Sequence, residues 1–465
     1  MQGNRVNRRH FLRLTATTAG GAILAACAPK AAEVVEKEVT RIVGGTPQVV
    51  KETVVATAEP KPVELNLLMV DWNEDSRKLF EEVTIPQFQE EHPGWTVAVD
   101  YTDWGQLDVK VMTAFAGGLQ PDVFQADNVE FGPKYHAKGI IAELNPLIDS
   151  TTGAREKIAD FYEKAIFEGS TIGGNLVALP YVLDNRGLFY RSDFLKEVGL
   201  DPEKPPETWE DLRAAAIAMT IREGDIFKRA GWWSNTGQFC FQTFVQFFWQ
   251  NKGELLAEDG SKVTYDSPEA VEALEFWTRL IREDRVGPIE EMEAPGDMSL
   301  MTAGLLAMSF SDYGQLLNVQ KYAPDLWDSQ GVTVLGHKQK ASLWYANTYF
   351  LSKGAKVEEA WVLLSALVLD DDNFTQYHEA MGGLPPRKSI SEKAKHVTPK
   401  HMVLIDDVMN APGSHTTPAV PYTMEILERI DEACQKALYG QATPKEALAQ
   451  AAQEGNQIIE RHKGS

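Results

Sequence analysis

Three apolar segments decide the fold: residues 64–70 read ELNLLMV, residues 96–101 read TVAVDY, and residues 121–124 begin a third with PDVF. An unbroken apolar run suits a strand buried on both faces. Between the first two, residues 76–91 carry Leu79, Val83 and Phe88 at helical spacing, and His92-Pro93-Gly94 ends that helix. Residues 106–116 predict a second helix before the third strand. Strand, helix, strand, helix, strand implies a parallel sheet with crossover helices, so the class is α/β.

The same alternation continues outward. LVALPYVL at 176–183 predicts a strand, and GLFYRSDFLKEVGL at 187–200 turns from strand to helix. Ser267-Pro268-Glu269 is a helix start: serine caps, proline fits the first turn, and the acid faces the positive end of the helix dipole. Its expected buried stripe is Val271, Leu274, Trp277 and Ile281. Thr443 and Glu446 form a capping box, and Gly440 ends the helix before it. With 465 residues, the chain exceeds the ~250–300 at which a single core stops growing, so at least two lobes are expected.

Residues 7–29 read NRRHFLRLTATTAGGAILAACAP, a basic segment, a short apolar segment and then small residues. That order is a secretory signal rather than a membrane helix. Arg8-Arg9 ahead of Phe11-Leu12 resembles the twin-arginine export motif, and Leu24-Ala25-Ala26-Cys27 resembles a bacterial lipobox. The resemblance implies cleavage before Cys27 and a diacylglycerol on its sulfur, leaving 1–26 as signal peptide. Residues 27–62 lack aromatic residues and end in Pro60 and Pro62, which suggests a flexible tether. Within it, VVEKEVTRIV and VVKETVVATA echo one another, and their valines also suit a short strand or helix.

The formal net charge is −22, with 67 acidic against 45 basic residues. An acidic surface without a basic stripe excludes nucleic acid as the expected partner. The three cysteines, Cys27, Cys240 and Cys434, form no Cys-x-x-Cys pair, so a zinc ribbon or dithiol redox motif is excluded on spacing. No His-Glu-x-x-His, Gly-x-Ser-x-Gly or phosphate-loop motif is present, and the histidines lack zinc spacing. The expectation is therefore no catalytic residue, no cofactor and no metal.

Aromatic residues cluster where expected strands end: Trp72 and Trp104 after the first two, Tyr181 within 176–183, Trp232-Trp233 after Gly231, Tyr313 after an apolar run, and Trp344-Tyr345 before another. Ligands of α/β folds bind at the carboxyl ends of strands. Sugar rings stack their C–H faces on flat aromatics, while their hydroxyls pair with groups such as Asp127, Asp184 and Arg387. Each of these residues also has an ordinary structural reading, as a core aromatic or a structural ion pair.

Five blocks together resemble the bacterial extracellular solute-binding family 1, which includes maltose-binding protein. They are PDVFQADNVEFGPKYHAKGIIAELNPLID (121–149), ALPYVLDNRGLFYRSDFLKEVGLDPEKPPETWEDL (178–212), KVTYDSPEAVEALEFWTRLI (262–281), TAGLLAMSFSDYG (302–314) and GGLPPRKS (382–389). Tyr313 departs from the family's usual tryptophan, and Trp344-Tyr345 stand where glycines are common. The resemblance implies a two-lobed, type II periplasmic-binding-protein-like fold with the ligand in a cleft between lobes joined by a multi-strand hinge. The expected division is 63–180 and 298–342 for lobe one, and 181–297 and 343–465 for lobe two. Crossings are expected near 180–185, 284–297 and 342–346.

The same resemblance implies an exported, lipid-anchored monomer that passes a small solute, expected to be a mono- or oligosaccharide, to the permease of an ABC importer. Trp72, Trp104, Trp232, Trp233, Tyr313, Trp344 and Tyr345 are the expected platforms. Asp127, Asp184 and Arg387 are the expected hydroxyl partners, and Tyr181 suits either role. The rival readings are a secreted carbohydrate hydrolase and a binder of a polyamine or glycerophosphodiester.

Overall fold

The computed structural model describes residues 62–463, apart from 291 and 355, together with the strands of a hairpin at 34–43 and 46–55. The signal segment 1–26 and Cys27 lie outside the described residues. The chain divides into two units, 1–62 and 63–465. In the first, β1 (Val34–Val43) and β2 (Thr46–Val55) pair antiparallel from Val34↔Val55 to Val43↔Thr46. Part of the expected tether is therefore a hairpin, as segments rich in Val and Thr favour extended pairing.

In the second unit the strands run β3 (Val63–Val70), β4 (Trp95–Thr102), β5 (Val123–Asp127), β6 (Thr171–Ile172), β7 (Asn175–Leu176), β8 (Ala178–Asn185), β9 (Gly187–Arg191), β10 (Ile221–Glu223), β11 (Ile226–Arg229), β12 (Met308–Ser311), β13 (Gln330–Thr333) and β14 (Trp344–Leu351). A five-stranded sheet has the order β4-β3-β5-β14-β8, with β3 parallel to β4 and β5. That is the expected parallel unit. β14 then inserts antiparallel between β5 and β8. The second sheet has the order β12-β9-β13 and is antiparallel throughout. Two short hairpins, β6–β7 and β10–β11, complete the list.

Strand alternation distributes the first sheet's side chains. Leu65, Leu67 and Met69 face a core containing Phe80, Phe88, Leu179 and Tyr349. Leu68 and Val70 face the other side, against Leu107, Val111, Phe124 and Phe350. A further core holds Trp209, Leu212, Trp232, Phe247, Leu274, Trp277, Ile281 and Ile430. Each fully buried large apolar side chain contributes roughly 1.5–3 kcal/mol relative to exposure. The expected stripe of the helix Pro268–Arg282 is buried except at Val271, which is half-buried. Ser267 accepts the amide of Ala270, and Thr443 and Glu446 accept each other's backbone amides.

The pairing departs from the division expected from sequence. β12 and β13, within 298–342, lie beside β9 in the second sheet, whereas β14 lies in the first. The 284–297 stretch is no crossing, because Ala230 bridges Leu306 and the amide of Trp233 donates to the carbonyl of Met308, both on the β12 side of it. The chain instead passes between sheets at Arg186, between β8 and β9, and again between β13 and β14. An apolar run marks a strand without naming its partner, so the register could not be read in advance.

Candidate functional site

The site grows from the carboxyl end of β5. Asp127 is its last residue and also caps the helix Asn128–Ala137, accepting the amide of Glu130 at 2.9 Å. Across the ladder Asn347 stands opposite Asp127, and Tyr345 stands opposite Asp184. Directly opposed residues share a face, and residues two apart do as well. One patch of β5, β14 and β8 thus presents Asp127, Asn347, Tyr345 and Asp184 together.

These four residues line a cavity of about 210 Å³. Trp104, from the first turn of the helix Trp104–Gly117, and Glu130 and Phe131, from the helix after β5, close one side. Asn235, Phe239 and Gln242 close the other, and Arg186 enters from the link between the sheets. Residues of the first sheet, of the link after it and of a segment packed on the Trp232 core therefore face one space.

Phe239 is held unusually. Its φ is 65°, a left-handed conformation rare for an aromatic residue, and the Asp431 carboxylate accepts the amides of Phe239 (2.9 Å) and Phe241 (2.6 Å). Asp431 thereby fixes a cavity wall from the helix Thr423–Leu438. Such strain persists where surrounding contacts impose it.

Charge in the cavity is unbalanced. The Arg186 guanidinium donates to Asp184 at 2.9 Å and also to Asp312. Burial works against its charge, but Asp184 and Asp312 raise its pKa above the ordinary arginine value. Burial pushes Asp184 up to about 7, against the pull of Arg186. Burial likewise pushes Glu130 up to about 7, although the Tyr345 hydroxyl and Arg186 favour its charged form. Asp127 is raised well above the carboxylate range by burial and then by Glu130. Glu130 Oε1, Asp184 Oδ1 and the Tyr345 hydroxyl are buried, and apart from the approach of the Tyr345 hydroxyl to Glu130 none has a hydrogen-bond partner. Buried polar atoms are normally paired, so these three acceptor or donor positions suit a ligand.

The expected residues separate into three groups. Trp104, Asp127, Asp184 and Tyr345 line the cavity. Trp72, Tyr181 and Tyr313 form an aromatic cluster beside it: Trp72 meets Trp104 edge-on at 5.8 Å and donates to the Tyr181 hydroxyl at 3.2 Å, and Tyr313 lies 6.5 Å away. Tyr181 and Tyr313 are buried.

The third group is away from the lining. Trp232 is buried against Phe247 and Phe310, and half-buried Trp233 packs by Gly287. Trp344 is fully buried, with Lys164 Nζ 5.9 Å from its ring. Alternation turns Trp344 to the face opposite Tyr345, so the pair cannot share one site. Arg387 is only 1% exposed and binds Asp371 at 2.6 Å, Asp160 at 3.1 Å and the carbonyl of Val368 at 3.2 Å. It is a structural ion-pair centre, which corrects its expected placement in the cleft.

Sequence reasoning missed Glu130, Phe131, Arg186, Asn235, Phe239, Gln242 and Asn347. Arg186 was signalled weakly by its place after Asp184 in the crossing block, and Glu130 by its capping position after Asp127. Nothing local distinguished the others. Cys240 and Cys434 are buried free thiols. Among the described residues no helix is long and apolar enough to cross a membrane, and no cluster of metal-ligating side chains occurs.

An open α/β pair of sheets with a polar, aromatic-walled cavity between their residues defines a solute-binding protein of the type II periplasmic-binding class. The chain belongs to the bacterial extracellular solute-binding protein family, whose model matches residues 71–373. It is similar to the sn-glycerol-3-phosphate-binding periplasmic protein UgpB of Escherichia coli K12, at 23% identity over 439 residues, 85% of this chain and 93% of that one. Its fold matches an ABC transporter solute-binding protein of Thermotoga lettingae bound with alpha-D-tagatose, with TM-score 0.73, 24% identity, and coverage of 85% of this chain and 100% of that one. It also matches maltose-bound T. maritima MalE3, with TM-score 0.72, 22% identity, and coverage of 85% and 100%.

Proposed function

We propose that this chain captures a polyhydroxylated solute of the sugar class outside the cytoplasm and delivers it to the membrane permease of an ATP-driven importer. The observation that carries the reading is the lining of the cavity. Trp104, Phe131, Phe239 and Tyr345 offer ring surfaces, and Asp127, Glu130, Asp184, Asn235, Gln242 and Asn347 offer hydroxyl partners. Sugars present these two kinds of surface together, apolar C–H faces and a rim of donors. The sugars named for the solved relatives agree with this lining.

The glycerol phosphate named for the Escherichia coli relative fits less well. Among the described residues Arg186 is the lone cation on the lining, and Asp184 and Asp312 already share it. A phosphate would face three acidic side chains for one arginine, and its charge would press their carboxyls further toward the protonated form. Ligand contacts from the first sheet and from the 235–242 segment would favour a closed arrangement, since only differential binding shifts such an equilibrium. Cys27 would anchor the exported body to the membrane through lipid, behind a twin-arginine signal. The chain would bind its solute without turning it over.

A thermal-shift screen of the mature body against mono- and oligosaccharides, with sn-glycerol 3-phosphate alongside, tests the reading. A saccharide should raise the melting temperature with the logarithm of its concentration. A shift with glycerol phosphate and none with any saccharide would replace it, and breakdown of the bound saccharide with time would favour the hydrolase.

A further inference from the structure

Resting on that reading, we propose that the hydroxylated solute held in this cavity carries a protonated amine. The lining sets Asp127, Glu130 and Asp184 against Arg186 alone among the described residues, and Asp312 claims the far side of that guanidinium. A neutral sugar would leave these carboxyls largely protonated, whereas a cation would pair with them in their charged form. Buried charge is retained at low cost only when it meets an opposite charge.

The geometry provides for one. Glu130 and Asp184 are 8% and 9% exposed; Asp184 Oδ1 has no hydrogen-bond partner, and Glu130 Oε1 has none beyond the approaching Tyr345 hydroxyl. An ammonium group brings three donors and a positive charge, matching acceptors on two different elements. Trp104 and Phe239 add aromatic faces to the same space, and a desolvated cation is attracted to the face of such a ring. The amides of Gln242 and Asn347 are left for hydroxyls, which argues for an amino sugar rather than a bare polyamine.

The carboxyls are suited to this exchange. Burial holds Glu130 and Asp184 partly protonated near neutrality, each at about 7. The groups facing them from neighbouring elements are Asp127, Arg186, Asp312, Tyr313, Tyr345 and Asp431. Of these, Arg186 alone favours the ionised carboxylates by charge, and it is already shared. A bound ammonium would displace the protons, so binding would release protons and weaken as the pH falls.

Calorimetry on the mature protein tests this with matched probes: glucose, glucosamine and N-acetylglucosamine, and the dimers cellobiose, chitobiose and N,N′-diacetylchitobiose. In each set the free amine should bind about tenfold or more tighter than both partners. Glu130→Gln should collapse that ratio. In the unmodified protein, where folding of a variant is not in question, lowering the pH from about 7.5 to about 5 should collapse it too, and heats in buffers of different ionisation enthalpy should show proton release. Equal or tighter binding of a neutral partner overturns the amine while leaving sugar capture standing. Absence of binding by every amine-bearing probe overturns the proposal as well, and binding of glycerol phosphate alone overturns both readings.

Discussion

Tyr345 stands directly opposite Asp184 across the ladder between β14 and β8, and both line the cavity. Asp184 is followed within two residues by Arg186, where the chain leaves the first sheet for the second. The ladder that holds the sheet together therefore also sets the spacing of the site. Rigid placement of this kind suits a binder, since it reduces the ordering cost that capture imposes.

Trp104 and Trp232 should respond oppositely to truncation. Trp104→Ala removes a half-buried cavity wall and should weaken ligand binding by about 1–3 kcal/mol, with the melting temperature little changed. Trp232→Ala opens a hole against Phe247 and Phe310 and should cost roughly 3–5 kcal/mol of stability. Calorimetric binding beside urea unfolding reads both. Reversal of the two effects would remove Trp104 from the site.

Arg387→Ala should unfold the protein more readily without altering ligand affinity. It strands Asp160 and Asp371 beside a buried space, at a cost of about 3–5 kcal/mol. Burial alone would raise Asp371, but Lys157 and Arg387 hold it below its usual range. A depressed carboxyl contributes stability that is present above its unfolded pKa and is lost as the pH falls through the folded value. Acid denaturation curves of the variant should therefore be flatter in that acidic window. A changed ligand affinity with unchanged stability would return Arg387 to the cleft.

Glu130→Gln should stabilise the empty protein at alkaline pH. The Glu130 carboxyl moves from 4.5 to about 7 on folding, chiefly by burial. Between those values the folded state binds more protons than the unfolded state, so this group lowers stability as the pH rises through the interval. The variant lacks that penalty. It should gain about 1–3 kcal/mol over the parent near pH 8, with the gain disappearing toward pH 4. Melting curves across that range check it, and a constant difference would remove the carboxyl's titration as the cause.

Asp431→Ala should loosen the wall built by Phe239. It leaves the amides of Phe239 and Phe241 without their acceptor, which costs about 1–3 kcal/mol. Because Phe239 holds a left-handed φ and lines the cavity, ligand affinity should fall as well. Lost stability with unchanged affinity would show that Phe239 keeps its place without Asp431.

Cys27→Ser should move the exported protein from the membrane fraction to the soluble fraction, as expected of a lipobox cysteine. Fractionation with detection of the mature chain reads this directly. Unchanged membrane association would exclude Cys27 as the anchor.

Local chemistry made much of this fold legible. The apolar runs at 64–70 and 96–101 became β3 and β4, and Ser267 and Thr443 start helices where their side chains can cap them. Asp127 and Asp184 were visible because carboxylates at strand ends stand out in an apolar context. Such features depend on neighbours within a few residues, and the sequence states those neighbours outright.

Partnership across the chain was decided only in three dimensions. Trp344-Tyr345 is one dipeptide in sequence, yet alternation buries the first side chain and brings the second to the cavity. Arg387 resembles a ligand-binding arginine until Asp160 and Asp371 are seen around it. Phe239 carries no local signal, since Asp431, 192 positions away, holds it in place. By itself the sequence determined the α/β class and the family, because these rest on short-range patterns. The tertiary structure decided which strands pair, which aromatics are core and which carboxylates share a cavity, because hydrogen-bond register and burial depend on residues far apart in the chain.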